Sequence, residues 1–155
     1  MVSVQCDKNL KKVLERFFYV VGTKAEVYSY SEKKSDICIL RNYDDFNDDY
    51  IPAAEYILIN SDDKKLIKHV KGLKSKIITC GLSTRSTATL SSISDSKYVM
   101  CLQRSINSLS GKKLPPFEFP FEIKDTFFDD VSIIIIITAA LLCDADVSQL
   151  NKISL

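Results

Sequence analysis

Two apolar runs too short for buried helices, with a charged helical stretch between them, constrain this chain more than any other feature. Tyr56, Ile57, Leu58 and Ile59 are apolar in succession, and the run stops at Asn60-Ser61-Asp62-Asp63. Asp63 to Gly72 then sets Leu66, Ile67 and Val70 at helical spacing, and Lys76 to Cys80 is a second run that closes on Gly81. Strands covered on both faces read as continuous apolar runs, and parallel neighbours need a crossover between them. Strand Glu55 to Asn60, helix Asp63 to Gly72 and strand Lys76 to Cys80 are therefore expected to form a parallel β-α-β unit.

The flanking sequence fits the same plan. Asn9 to Val21 carries Leu10, Val13, Leu14, Phe17, Phe18 and Val21 at helical spacing, with Asp7 or Asn9 to cap its start and Gly22 to end it. Ala25 to Tyr30 and Ser35 to Leu40 read as strands. After Gly81 the character changes: Ser83 to Ser96 is rich in Ser and Thr, and Tyr98 to Leu102 is a strand. Lys113 to Ile123 carries Pro115, Pro116 and Pro120, which suits an edge strand or extended arm. Phe127 to Leu142 is apolar nearly all round and is read as a helix packed on both sides, although Ile133 to Ile137 favour a strand by propensity alone. The expected fold is α/β: a mainly parallel Rossmann-like sheet with flanking helices and a small antiparallel extension after Gly81, in a single domain over residues 1–155.

The composition narrows the function classes. A chain of 155 residues can bury a proper core without disulfide or metal staples. Lys and Arg number 21 against 20 Asp and Glu, so there is no net positive surface for a phosphate backbone, and no nucleic-acid partner is expected. Five scattered cysteines without a C-x-x-C pair point to free thiols in a reducing cytoplasm, with Cys38, Cys80 and Cys101 in strand-like runs as core filling. Charges at Asp7, Lys8, Lys11 and Lys12 interrupt any signal-peptide pattern, and the longest apolar run, Val131 to Cys143, falls short of the roughly 20 residues that span a bilayer. A cytoplasmic location with no membrane role follows as the expectation.

Candidate chemistry is sparse. Asp44, Asp45, Asp48 and Asp49 lack the alternating ligands, central Gly and terminal Glu of an EF-hand, so they read as a solvated acidic loop. His69, the only histidine, is expected to face solvent beside Lys65 and Lys68, which leaves a Ser-His-Asp system unsupported. No clustered Cys/His set suits zinc. Ligands of open α/β sheets gather beyond the carboxyl ends of the strands, where Asn60, Asp62 and Asp63 stand. The same residues also suit helix capping, and adjacent acids at a helix start point in different directions. Gln103-Arg104, at the end of another apolar strand, is a second candidate polar site for an anion or a partner carboxylate, or simply a surface arginine.

The strand ending Asn60-Ser61-Asp62-Asp63, the helix after it and the strand closing on Gly81 resemble the later half of the ATP-binding central domain of Mur ligases. The resemblance runs from about Asp36 to Leu142. It includes the Ser/Thr-rich passage from Ser83 and a final strand and Ala-rich helix ending in Thr138-Ala139-Ala140-Leu141. It implies that Asn60, Asp62, Asp63 and Gly81 lie near a bound nucleotide, with Asn60 at its adenine end. Cys80 stands where the family has an aromatic residue, and Asp129 and Asp130 stand near the place of its His-Asn signature. The phosphate-binding loop is missing: Gly22, Gly72, Gly81 and Gly111 include no pair five positions apart. In Ser110-Gly111-Lys112-Lys113 the first glycine is Ile106 and the metal-holding hydroxyl is Lys113. The leading expectation is a non-catalytic Mur-ligase-like domain, without cofactor, that acts as an interaction or regulatory module through a protein partner or self-association. The alternatives are weak ATP or UDP-sugar binding at Asn60 to Asp63, linked to cell-wall precursors, and a small enzyme of another kind using the acids or Arg104.

Overall fold

The computed structural model describes residues 1–124, 128–146 and 153–154. The strands, in chain order, are β1 (Val2–Cys6), β2 (Ala25–Ser29), β3 (Ser35–Leu40), β4 (Ala54–Asn60), β5 (Lys76–Cys80), β6 (Ala88–Ser94), β7 (Lys97–Leu102), β8 (Ile106–Asn107), β9 (Lys113–Leu114), β10 (Phe117–Lys124) and β11 (Ile153–Ser154). The helices are α1 (Lys8–Val20), α2 (Lys64–Val70) and α3 (Asp130–Leu142). One mixed sheet runs β2-β1-β3-β4-β5-β6-β7-β10, with the two-residue β11 beside β10 and β8-β9 as a separate hairpin. Pairing is parallel from β2 to β5, and β5 meets β6 in parallel only at Cys80 and Ala88. β6, β7 and β10 are antiparallel. The α/β class, the parallel β4-α2-β5 unit and the antiparallel extension after Gly81 are thus all present.

β1, β6 and the two-residue β8 and β11 are not among the strands expected from the sequence, and β1 matters most for the site. β1 reads Val-Ser-Val-Gln-Cys, and its alternation divides the sheet's two faces. Val4 and Cys6 are buried in the cluster that α1 and α3 cover. Ser3 and Gln5 point the other way, and the chain crosses that face directly between β2 and β3, without a helix. Gln5 Nε2 donates to the Lys33 carbonyl (2.8 Å) and to Ser31 Oγ (3.2 Å), while Ser31 N and the Tyr50 hydroxyl donate to Gln5 Oε1. Gln5 is buried and can stay so because both ends of its carboxamide are partnered.

The second face is covered by α2 and by the segment between β3 and β4. Tyr43, Phe46 and Tyr50 pack on Cys38, Leu40, Ile57 and Ile59 beside Leu66 and Val70 of α2. The acidic loop is therefore solvated at its carboxylates and asparagines, and its aromatics serve as a lid on the sheet. His69 belongs to that lid and is half-buried beside Lys65 and Lys68: its Nε2 lies 2.8 Å from the Tyr50 carbonyl, and its ring lies against Tyr43 and Phe46.

α3 is buried on all sides from Val131 to Leu142. Isoleucine gives up at most about 0.7 kcal/mol of helix propensity per residue relative to alanine. Burying its side chain returns about 1.5–3 kcal/mol, so packing overrides the strand preference of the five isoleucines. Asp129 caps the helix by accepting from Ser132 N (2.9 Å). The helix starts at Asp130, and Phe127, read in the sequence as part of it, lies outside the described residues. No helix among the described residues is long and apolar enough to cross a membrane.

Candidate functional site

β4 and β5 deliver the sequence-predicted residues to one place, the carboxyl edge of the sheet. Asn60 ends β4; its Nδ2 donates to the Arg41 carbonyl (3.2 Å) and its Oδ1 accepts from Asp62 N (3.0 Å). Asp62 Oδ2 accepts from Leu82 N (3.2 Å), which ties the turn to the end of β5. Asp63 caps α2 through Lys65 N (3.0 Å) and also accepts from Tyr43 N (3.2 Å). Gly81 fits because it has no side chain: a β-carbon there would stand 2.6 Å from Ser61 Oγ and 2.9 Å from Asp62 Oδ1.

The Gln103-Arg104 pair joins the same cluster from β7. Gln103 Nε2 donates to the Ser86 carbonyl (2.6 Å), Arg104 Nη1 donates to the Arg85 carbonyl (2.7 Å), and the Ser86 and Ser61 hydroxyls are 2.8 Å apart. Two sites that are separate in sequence are one in space. Its chemistry is inward-looking, since the two carboxylates diverge and each is held by main-chain amides. Capping is thus a sufficient role for Asp63, and Asp63→Ala is expected to lower stability by about 1 kcal/mol in thermal melts.

The stronger electrostatic feature lies two strands away. The strand order 2-1-3-4-5 is a common doubly wound order, and its switch point falls between β1 and β3. Asp7 follows β1 and caps α1, accepting from Asn9 N (3.1 Å) and Leu10 N (3.0 Å). Arg41 follows β3 and grips the same carboxylate with Nη2 on Oδ1 (2.6 Å) and Nε on Oδ2 (2.8 Å). Its Nη1 donates to Ser132 Oγ (3.0 Å) on α3, and the guanidinium stands 5.3 Å from the centre of the Phe128 ring. The two side chains are only 6% and 12% exposed.

Burial alone would raise the Asp7 carboxyl. The Arg41 hydrogen bond and charge, with the two helix amides, outweigh it and hold the group below the usual carboxylate range. For Arg41, burial opposes the charged form and Asp7 more than restores it. Helix amides at the end of β1 are where an α/β protein receives a phosphate. Here the chain's own carboxylate sits on them. The sequence signal for this node is a charged residue directly after each strand, and it is legible only where β1 is read as a strand.

The thiols offer no nucleophile. Burial pushes Cys6, Cys38, Cys80 and Cys143 up to about 12. Cys38 and Cys80 fill the core as expected, whereas Cys101 is only half-buried and is raised by burial and by Glu118 beside it. Among the described residues no group of three or more His, Cys, Asp or Glu is placed to hold a metal ion. Ser110-Gly111-Lys112-Lys113, the nearest approach to a phosphate loop in the sequence, forms the turn of the β8-β9 hairpin with Gly111 at φ +91°. A comparison with known protein families finds no family model that matches this chain, and a comparison with curated proteins finds no significant match.

Proposed function

We propose that this is a non-catalytic domain of Mur-ligase-like descent that acts by contact with another protein surface, most simply its own. One observation supports this above the rest: the polar groups beyond the strand ends are spent on the chain itself. Asp7 is bound to α1 and Arg41, and Asn60, Asp62, Asp63, Gln103 and Arg104 are bound to main-chain groups. Neither a triphosphate nor an acid-base step finds its parts there.

Contact has a natural site at β2. This strand ends the sheet, pairs with β1 over five consecutive residues without a bulge, and has no proline. An edge of this kind accepts another strand unless it is blocked. Tyr19 at 87% and Tyr28 at 44% are the exposed aromatics near it. Within β2 the Tyr28 hydroxyl donates to the Glu26 carboxylate. In antiparallel pairing of two copies about Val27, Glu26 stands opposite the partner's Tyr28, so the same bond can form between copies.

Light scattering across a dilution series tests the reading. A concentration-dependent dimer that Tyr28→Lys abolishes is expected. A strict monomer at every concentration counts against it.

A further inference from the structure

A cleft of about 590 Å³ opens at the switch point, between the start of α1, the end of β2 and the acidic segment after β3. Its size falls within the range of small-molecule sites, and the switch point is where doubly wound sheets receive ligands. Tyr30 and Phe46, with ring centres 5.9 Å apart, contribute its aromatic wall. Asn9, Ser29, Asp45 and Asn47 contribute exposed polar groups around it.

The mixture of these groups restricts the ligand. A phosphate needs an excess of positive charge, but Lys8 is balanced by Asp45 in the lining, and the two amides of α1 turned this way are already taken by Asp7. A cation needs an excess of negative charge, but Asp7 is neutralised by Arg41, and Lys8 stands in the lining against Asp45. Carboxamides and a serine hydroxyl both donate and accept, which matches a ligand whose own groups do the same. Asn47 keeps Oδ1 on Asp49 N (3.1 Å) and so presents Nδ2. The Tyr30 and Phe46 rings, nearly perpendicular at 84°, give the cleft apolar contact for the C–H face of a ring.

We infer that this cleft binds a neutral polyhydroxylated ring, as a glycoside or as the ribose of a nucleoside. The site is distinct from Asn60 to Asp63 and does not depend on self-association through β2.

The test is an amide chemical-shift titration of the ¹⁵N-labelled full chain with four probes: methyl glucoside, N-acetylglucosamine, uridine and inorganic phosphate. Saturable shifts confined to residues 6–9, 29–30 and 45–47 with a sugar or with uridine are expected, and phosphate should leave those amides unmoved. Response to the sugars or to uridine separates the two sources. Asn9→Ala with Asn47→Ala, both at exposed positions, should weaken binding by about tenfold or more, the loss of one or two hydrogen bonds. The spectrum away from the cleft should not change. No shift at millimolar sugar or uridine, shifts located elsewhere, a response to phosphate alone, or binding that the double variant leaves intact would each overturn the inference.

Discussion

Asp7→Ala should be among the most damaging single changes in this chain, lowering stability by about 3–5 kcal/mol, the usual result of orphaning one member of a buried ion pair. For a domain of this size that is a fall in melting temperature on the order of 10 °C. Arg41 would be left with its charge buried, and α1 would lose its cap. Asp7→Leu combined with Arg41→Met should recover most of the loss, because an apolar pair of similar volume removes the desolvation cost along with the attraction. The sign of the pH dependence follows from the depressed Asp7 carboxyl. Its contribution is fully present above the unfolded carboxylate value of about 3.9 and is lost as pH falls through the lower folded value. Arg41→Ala removes the main lowering influence, so its acid unfolding should begin at higher pH than that of the wild type. Acid titrations followed by circular dichroism would show this.

Ile135→Ala is expected to cost about 2–5 kcal/mol, the range for truncating a fully buried isoleucine. The cost should appear without loss of helix content, because alanine is the better helix former. Ile135→Leu, which preserves volume, should cost less than about 1.5 kcal/mol. An unchanged melting temperature in Ile135→Ala would show that local propensity, not packing, decides this element. Thr138 makes the same point from the polar side: it is buried, and its hydroxyl donates to the Ile134 carbonyl (2.7 Å) inside the helix.

The contrast between β4 and β1 explains what could be read from the chain alone. β4 has apolar residues at four successive positions because both of its faces are covered, so it announces itself locally. β1 has Ser3 and Gln5, whose partners lie 26 to 45 positions away at Ser31, Lys33, Asp36 and Tyr50. Nothing near them in sequence reports that they are satisfied. Without β1 the switch point and the Asp7–Arg41 pair are not legible, although Asp7 is legible as the cap of α1. The residues Asn60, Asp62, Asp63 and Gly81 were legible as a cluster because they flank two obvious strands. Their hydrogen-bond partners, Leu82 N, Tyr43 N and the Arg41 carbonyl, became visible only in three dimensions. His69 escaped for a related reason: its neighbours in the helix are lysines, but its contacts come from the loop before β4.

In this protein the place for a phosphate at the start of α1 is filled by the chain's own carboxylate. Calorimetric titration of the wild-type chain with ATP, with and without magnesium, tests it most directly. No magnesium-dependent heat and no magnesium-dependent rise in melting temperature at millimolar ATP is the expected result. Saturable binding that requires magnesium would contradict it.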